Sequence, residues 1–396
     1  MLKLARPLFM RLGALVFGSL VAFGVLELTL RIYNPFYASV RGDRIVLQAN
    51  RTFTYNGQAE HGTDASVTYR TNSLGFRGPD LPQDGLKDRL SVFTVGGSTT
   101  NSLTLNEPYT WSGQLWAKLR QVDETAWLNN AGLPGHSTFA HLQLLQDHVL
   151  PRRPRYVLFL IGINDVGHSG PTDYDWSNLK RGLSFTSHKT LIKSLGNYSE
   201  SVSLALNLFR WKRAADRGLP YRGMRPHEFL TAPVEPASEV QQIVDRHATQ
   251  FIPGYRDRVR QLVTMCHDAG TTPVLITQPT LYGDVTDDVT NVDLATIQVP
   301  ELTDQLDARV SGSTHWRVVQ KYNDVLRQIG RDNGVVVIDL AEEMPKSSAF
   351  YYDWIHFTNH GAQEVAEIIW DRLEESLLQA ESLARESDVG PRQASG

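Results

Sequence analysis

The stretch YVLFLIGINDVG, Tyr156 to Gly167, decides the fold that the sequence predicts. Its first part is continuously apolar, which is typical of a strand buried on both faces of a parallel sheet. Four comparable strand-like runs occur along the chain, and helix-like segments lie between them. Because each parallel crossover needs a helix-length connection, this alternation predicts an α/β fold of three α/β/α layers with a five-stranded, mainly parallel sheet. The other predicted strands are LSVFTVG from Leu90, AWLNNAG from Ala126, TTPVLITQP from Thr271 and VVVIDLA from Val335.

The segments around these strands define the predicted domain organisation. We predict one main domain at residues 88–380, with irregular insertions at about 166–253 and 281–313. Residues 34–87 are polar and are expected to form a connector that packs on the main domain. The last helix is expected to begin near Asn359, and residues 381–396 have the composition of a disordered tail.

Composition excludes several classes of function. The chain has 396 residues, a net charge of -4 and one cysteine, Cys266. This charge offers no electrostatic basis for binding nucleic acid. A single cysteine can form neither an internal disulfide nor a cysteine cluster for zinc, and we expect Cys266 to be a buried apolar residue.

The N-terminal segment is long and apolar enough to be a membrane anchor. LGALVFGSLVAFGVLELTL, Leu12 to Leu30, has about the length needed to cross a bilayer as a helix. The basic residues around it favour a cytoplasmic N-terminus, since three precede it and one follows closely: Lys3, Arg6, Arg11 and Arg31. A cleaved signal peptide is the alternative, but no small-x-small cleavage site follows the apolar stretch. We therefore predict a single transmembrane anchor within residues 1–33, with Glu27 near its outer end.

A hydroxyl-rich turn follows the first predicted strand. In VGGSTTNS, Ser98 lies just beyond the strand, where a following helix would point its N–H groups at a developing negative charge. Most Gly-Gly-Ser stretches are simple turns, so this motif alone does not indicate catalysis.

Two further strands end in groups that could donate hydrogen bonds to an oxyanion. NNAGLPGHST places Gly135 after the second strand, where a residue without a side chain lets an amide N–H approach a substrate oxygen. LIGINDVG places the side-chain amide of Asn164 after the third strand. Its neighbour Asp165 is expected to be a structural hydrogen-bond partner.

The fifth strand leads into YYDWIHFTNHG, which holds an acid and a base three residues apart. In a helical or tightly turned segment, Asp353 and His356 would lie on one side. His356 could then accept the proton of Ser98, and Asp353 could fix the imidazole tautomer. His360, four residues further on, is expected at the start of the final helix.

The combination of these motifs favours an active site over a set of ordinary turns. All of them follow predicted strands on the carboxyl side, and in a doubly wound sheet those positions meet where the strand order reverses. The sequence therefore predicts an active site formed by Ser98, Asp353 and His356, with an oxyanion hole formed by Ser98, Gly135 and Asn164.

The chain resembles the SGNH hydrolases, also called the GDSL esterase/lipase superfamily. The resemblance covers about Leu90 to Leu378 and rests on four residue types, matched in order by Ser98, Gly135, Asn164 and His356. It implies a flavodoxin-like SGNH hydrolase fold and attack of the serine on an ester. One position departs from the pattern, because Gly97 stands where the family usually has aspartate. The stretch NSLGFRG ahead of GGST also resembles a membrane-anchored bacterial subgroup often associated with cell-surface polysaccharides.

These observations lead to an expected function with two alternatives. We expect a serine esterase that acts through an acyl-serine outside the cytoplasm, on the periplasmic side of a bacterial inner membrane. Its substrate would be an ester-bearing small molecule or glycan. The alternatives are an O-acyltransferase that modifies a cell-surface or exported polysaccharide, and a non-catalytic glycan-binding component of an export complex. No metal, cofactor or nucleic acid is implied.

Three further sequence features allow more than one interpretation. The segment LIKSLGNYSESVSLALNLFRWKRAAD could be a lid, a membrane-contacting helix or, as we favour, a helix that covers the sheet. The aspartates of the second insertion lack the spacing of a calcium loop, so a solvated loop is expected. Tyr351 and Trp354 could line a substrate pocket or simply pack.

Overall fold

The computed structural model describes residues 2–33, 40–41, 44–45, 47–57, 59–87, 89–171, 175, 188–196, 198–216, 226–300 and 309–388. The chain divides into two compact units. The first, here called the anchor unit, comprises Met1–Gln48 and Trp176–Pro220. The second, the sheet unit, comprises Ala49–Asp175 and Tyr221–Gly396.

The strands and helices are as follows. The strands are β1 Val40–Arg41, β2 Arg44–Ile45, β3 Thr52–Asn56, β4 Ser66–Arg70, β5 Ser91–Gly96, β6 Trp127–Asn130, β7 Tyr156–Leu160, β8 Thr272–Ile276, β9 Gln298–Pro300, β10 Arg309–Ser311 and β11 Val336–Ile338. The helices are α1 Leu2–Ile32, α2 Ser98–Asn101, α3 Trp111–Val122, α4 Thr138–Leu144, α5 His188–Leu195, α6 Glu200–Asp216, α7 Ala237–Gln250, α8 Ile252–Asp268, α9 Gly312–Asn333, α10 Leu340–Glu343 and α11 Asn359–Asp388.

The centre of the sheet unit is a five-stranded sheet, as the sequence predicts. The strand order is β6-β5-β7-β8-β11, and every neighbouring pair is parallel. This is the flavodoxin-like order, whose direction of progression reverses between β5 and β7. The carboxyl ends of these two strands are level, since Gly96 pairs with Leu160. Residues that follow β5 and β7 therefore start from adjacent points on one edge of the sheet.

The strands are buried because helices cover the sheet. All residues of β5 and β6 are buried, and β7 is buried from Val157 onward. The helices α3 and α11 pack on each other and contribute to the core that includes Leu158 and Leu160 of β7. A second set, α4, α8 and α9, packs together, with α8 and α9 also contacting β8.

Several local boundaries follow the sequence signals. Ser137 caps α4, since its hydroxyl accepts a hydrogen bond of 3.3 Å from the backbone N–H of Phe139. α9 ends at Gly334, which adopts a left-handed φ of 63°. β11 is shorter than the predicted run because Leu340–Glu343 turns into α10.

Other elements lie in the predicted insertion, the connector and the tail. α7 falls inside the first predicted insertion. The connector contributes the antiparallel pair β3–β4 to the sheet unit. α11 continues to Asp388, beyond residue 381 at which the tail is predicted to begin, and residues 389–396 lie outside the described part of the chain.

The anchor unit is built on α1. Met10–Ile32 is a 23-residue stretch of this helix with mean hydropathy 1.9, long and apolar enough to cross a membrane. α6 packs against α1, and α5 packs against α6. The segment predicted to be a helix that covers the sheet thus forms α5 and α6, which pack within the anchor unit.

Candidate active site

Ser98 lies at the first position of α2, directly after β5. The chain passes from the strand into this helix through Gly97. Two hydrogen bonds hold the short helix in place. Trp111 Nε1 donates to the carbonyl of Thr99 at 3.0 Å. Ser102, which ends the helix with a left-handed φ of 51°, donates its backbone N–H to the carbonyl of Ser98 at 2.9 Å. The half-buried Ser98 side chain is thus presented on a tight strand-to-helix turn at the sheet edge.

Asp353 and His356 lie on one side of a tight turn, as their spacing predicts. Asp353 Oδ1 accepts hydrogen bonds from the backbone N–H of Ile355 at 2.8 Å and of His356 at 2.7 Å. Asp353 Oδ2 lies 2.7 Å from His356 Nδ1. One carboxylate oxygen therefore stabilises the turn, and the other contacts the imidazole.

The imidazole of His356 connects this turn to Ser98. His356 Nε2 lies 2.8 Å from Ser98 Oγ. Because a carboxylate accepts hydrogen bonds, it favours the tautomer with the proton on Nδ1, in which the lone pair of Nε2 can accept from the serine hydroxyl. The structure thus joins Asp353, His356 and Ser98 in one line of hydrogen bonds.

Asn164 lies beside the turn that carries Ser98. It follows β7 within a short 3-10 turn, and its Nδ2 donates a hydrogen bond of 2.9 Å to the carbonyl of His136. A Cβ at Gly97 would lie 2.2 Å from the same Nδ2. Glycine at residue 97, where the family pattern has aspartate, therefore leaves room for the Asn164 amide.

Gly135 precedes His136 in the loop after β6. It has a φ of 76°, a left-handed conformation that favours glycine. The loop is drawn toward the site by the hydrogen bond between His136 and Asn164. Burial lowers the pKa of the His136 imidazole to about 3, so this side chain is neutral at physiological pH.

Asp165 is structural, which confirms the sequence prediction. Its carboxylate accepts hydrogen bonds from the backbone N–H and the hydroxyl of Thr138, and Arg258 Nη2 lies 3.2 Å away. Burial raises the pKa of Asp165 to about 6, although Arg258 and Thr138 oppose that rise. This buried group ties the turn that holds Asn164 to α4 and α8.

Arg77 is an element of the site that sequence reasoning missed. It is 1 % exposed, and its guanidinium donates hydrogen bonds to the carbonyls of Asn101, Ser102 and Leu105 at 2.8, 2.9 and 2.9 Å. Its Nε also pairs with Glu107 at 2.7 Å. Arg77 thus holds the chain immediately after α2. Its position in the GFRG turn was the available signal, but nothing in that turn indicates contact with the serine segment.

The aromatic residues around the acid–base turn pack on neighbouring side chains. Tyr352 stacks on His356 with ring centroids 5.5 Å apart, a contact the sequence did not predict. Trp354 stacks on Tyr282, and Tyr351 is buried at 2 % exposure. His360 lies in the first turn of α11, as predicted.

The aspartate-rich insertion contains one correction to the sequence analysis. Asp287 is fully buried rather than solvated, and its carboxylate accepts hydrogen bonds from the backbone and hydroxyl groups of both Thr290 and Ser348. Asp287 thus ties this loop to the segment leading to Asp353. Within the described part of the chain, no group of three or more His, Cys, Asp or Glu side chains is placed to hold a metal ion.

The chain matches one protein family, and several solved structures are similar to it. Residues 93–364 match the GDSL-like Lipase/Acylhydrolase family. Solved structures similar to this chain include Axe2, an acetylxylan esterase from Geobacillus stearothermophilus, at 14% identity and TM-score 0.39 over 71% of this chain and 93% of that one. The acetyl xylan esterase AlAXEase has 14% identity and TM-score 0.38 over 71% and 98%. LAE5, an alpha/beta hydrolase from the metagenome of Lake Arreo, Spain, has 16% identity and TM-score 0.36 over 71% and 94%. A search of curated protein sequences finds no match.

Proposed function

The chain belongs to the GDSL-like lipase/acylhydrolase family, and we propose that it is a serine-dependent carboxylic ester hydrolase acting through an acyl-serine intermediate. The observation that carries this proposal is the continuous chain of hydrogen bonds from Asp353 through His356 to Ser98. A serine hydroxyl is a weak nucleophile until an adjacent base removes its proton, and this geometry supplies that base.

The proposed reaction has two balanced halves. His356 Nε2 takes the proton of Ser98 Oγ as the oxygen bonds to the ester carbonyl carbon. The tetrahedral adduct then collapses, the bond to the alcohol oxygen breaks, and His356 returns the proton to the leaving alcohol. In the second half, the same nitrogen deprotonates water as its oxygen bonds to the acyl carbon. The bond from that carbon to Ser98 Oγ then breaks, the acid leaves, and His356 returns the proton to Ser98. Asp353 stabilises the imidazolium in both halves.

The oxyanion of each adduct would be held by N–H donors at the sheet edge. We assign these donors to the backbone N–H groups of Ser98 and Gly135 and the side-chain amide of Asn164. Asn164 uses one N–H on the His136 carbonyl, and a primary amide has a second to offer. Loss of one such donor costs about 3 kcal/mol of transition-state stabilisation in comparable enzymes.

The proposed location follows from α1. We assign Met10–Ile32 to a membrane span with a cytoplasmic N-terminus, which would place the sheet unit outside the cytoplasm, in the periplasm of a bacterium. The large apolar side chains of this stretch are exposed from Met10 to Leu28, as expected for a surface that faces lipid.

The decisive assay measures where the acyl group goes. The purified protein is given an acetyl ester with and without an oligosaccharide acceptor, alongside the Ser98→Ala variant. The proposal predicts acetate release that depends on Ser98 and is unchanged by the sugar. Acetyl transfer to the sugar would replace hydrolysis with O-acyltransfer. Equal activity of wild type and Ser98→Ala, or none in either, would contradict the proposal.

A further inference from the structure

Glu27 has an unexpected set of partners for a carboxylate within an apolar span. Its side chain accepts hydrogen bonds from the hydroxyl of Ser199 at 2.9 Å and from the backbone N–H groups of Glu200 and Ser201, both at 3.0 Å. Arg31, one turn further along α1, pairs with it at 2.9 Å. Glu27 therefore caps the N-terminus of α6, where the helix dipole also favours a negative charge.

A second link joins α6 to the same end of α1. Arg31 Nη2 donates a hydrogen bond of 2.6 Å to the carbonyl of Tyr198, just before α6 begins. The start of α6 is thus held by one acid and one base of α1. A carboxylate at this depth would be costly if unpaired. Here the N-terminal turn of α6 and the guanidinium satisfy it.

Among the side chains of α5 and α6 that the structure describes, four large apolar ones are exposed. On α6, Leu208 and Phe209 are 51% and 65% exposed, and on α5, Ile192 and Leu195 are 46% and 39% exposed. The exposed side chains within the described part of each helix follow helical spacing. On α6 they are Ala205, Leu208, Phe209 and Lys212, and on α5 they are His188, Ile192 and Leu195. A helix that faces water normally carries polar residues on that side. We call these exposed residues the hairpin stripe.

The residues that border the stripe are typical of a membrane interface. Tyr198, 56% exposed, lies between the two helices, and Lys212 lies at the far end of the stripe. Tyrosine is enriched at the level of lipid headgroups, and lysine can extend its ammonium to water while its stem stays in an apolar layer. The helix α6 that carries part of the stripe also packs on α1.

We propose that the α5–α6 pair is a second membrane-contacting element, whose stripe lies in the lipid interface and whose position is set by Glu27. This inference rests on the proposed membrane anchor, because it is the outer end of α1 that holds α6. The stripe would contact the lipid of the outer leaflet, on the side of the membrane where α1 ends. An interfacial helix of this kind would hold the protein against the bilayer at two places rather than one.

Single-cysteine labelling in lipid vesicles tests the proposal. The native Cys266 is fully buried, and burial raises the pKa of its thiol to about 12, so it resists labelling. Full-length Phe209→Cys is labelled with an NBD fluorophore and reconstituted into phosphatidylcholine vesicles, with and without lipid carrying a doxyl quencher. Phe17→Cys, in the middle of α1, reports the anchor, and Val122→Cys, an exposed residue of α3, is the aqueous reference.

The outcomes separate this inference from the anchor. The proposal predicts blue-shifted emission at residues 17 and 209, with most of it lost in doxyl lipid, and little change at residue 122. Quenching at 17 without quenching at 209 overturns the stripe and leaves the anchor. Absence of quenching at both positions overturns both the membrane anchor and the lipid contact of the stripe. Blue-shifted but unquenched emission at 209 means that protein covers the stripe, which also contradicts the proposal.

The Glu27→Ala variant tests whether Glu27 positions the helix pair. In Glu27→Ala labelled at residue 209, we expect weaker quenching and a red shift, because α6 loses its tie to α1. The same substitution labelled at residue 17 should keep its quenching. Unchanged emission at residue 209 would show that Glu27 does not position the helix pair.

Discussion

The side-chain amide of Asn164 occupies the space that a side chain at Gly97 would need. The distance from Asn164 Nδ2 to a Cβ at residue 97 would be 2.2 Å, far shorter than any van der Waals contact. The departure of this chain from the aspartate usual in its family is thus coupled to the position of a proposed oxyanion donor.

Gly97→Ala and Gly97→Asp are therefore expected to impair catalysis more than folding. The atom that must move is the end of a side chain, so the melting temperature should change little, while displacement of the donor should lower kcat about 100-fold. Gly170→Ala, at a position with open space around it, is the matched control. Kinetics and thermal unfolding are measured on all three variants.

A double variant tests whether Gly97 acts through Asn164. If it does, Gly97→Ala combined with Asn164→Ala should be no slower than Asn164→Ala alone, because the same donor is lost once. Losses in kcat that multiply, and so add as activation free energies, would contradict the coupling.

Asp353→Asn is expected to abolish most activity for a specific geometric reason. Asp353 Oδ1 accepts from two backbone N–H groups, so the single oxygen of asparagine should stay there. Its NH2 group would then face His356 Nδ1 and force the proton onto Nε2, which could no longer accept from Ser98. We expect kcat to fall about 10⁴-fold with the fold intact. A fall below tenfold in ester hydrolysis would contradict this role.

Removal of Arg77 should destabilise the protein. Arg77→Met leaves three carbonyls and Glu107 without their donor, and we expect the free energy of unfolding in urea to fall by about 3 kcal/mol. Arg89→Met is the control, since its partner Asp84 is 70% exposed and pairs that are this exposed contribute little to stability. Arg77→Lys should give an intermediate loss. Equal stability of Arg77→Met and Arg89→Met would show that the hydrogen bonds of Arg77 are dispensable.

Asp287 should make stability depend on acid pH. Burial alone would raise the pKa of Asp287, but hydrogen bonds from Ser348 and Thr290 outweigh it and hold the pKa below the ordinary value of 3.8. A depressed pKa means that the stabilisation is present above pH 3.8 and is lost as pH falls through the folded-state pKa. Asp287→Asn should cost about 2 kcal/mol at pH 7, and its unfolding curve should approach that of wild type at lower pH. The exposed Asp288→Asn should show no such dependence; a parallel offset at every pH would contradict the assignment.

The sequence predicted the five-stranded sheet because a buried parallel sheet leaves a local pattern in the sequence. A continuous apolar run such as Tyr156–Ile161 marks a buried parallel strand, and a residue just past a strand end must lie at the sheet edge. That rule applies to Ser98 and Asn164, whereas Asp353 and His356 lie beyond α10 and were linked to Ser98 by their spacing and by the family resemblance.

Contacts between distant segments left no comparable pattern. Arg77 bonds carbonyls more than 20 residues away, and Glu27 caps a helix that begins at Glu200. Backbone carbonyls and N–H groups are present at every residue, so the sequence does not reveal which of them a buried side chain will satisfy. The same holds for the space at Gly97, which depends on how β5 and β7 lie side by side.

The central claim is that Ser98 is the nucleophile activated by His356, and covalent labelling tests it most directly. A fluorophosphonate is allowed to react with wild type, Ser98→Ala and His356→Ala, and the products are followed by intact mass and peptide mapping. We predict one adduct on Ser98 in wild type, none in Ser98→Ala, and much slower labelling in His356→Ala. An adduct at another residue, or labelling of Ser98→Ala at the wild-type rate, would contradict the account.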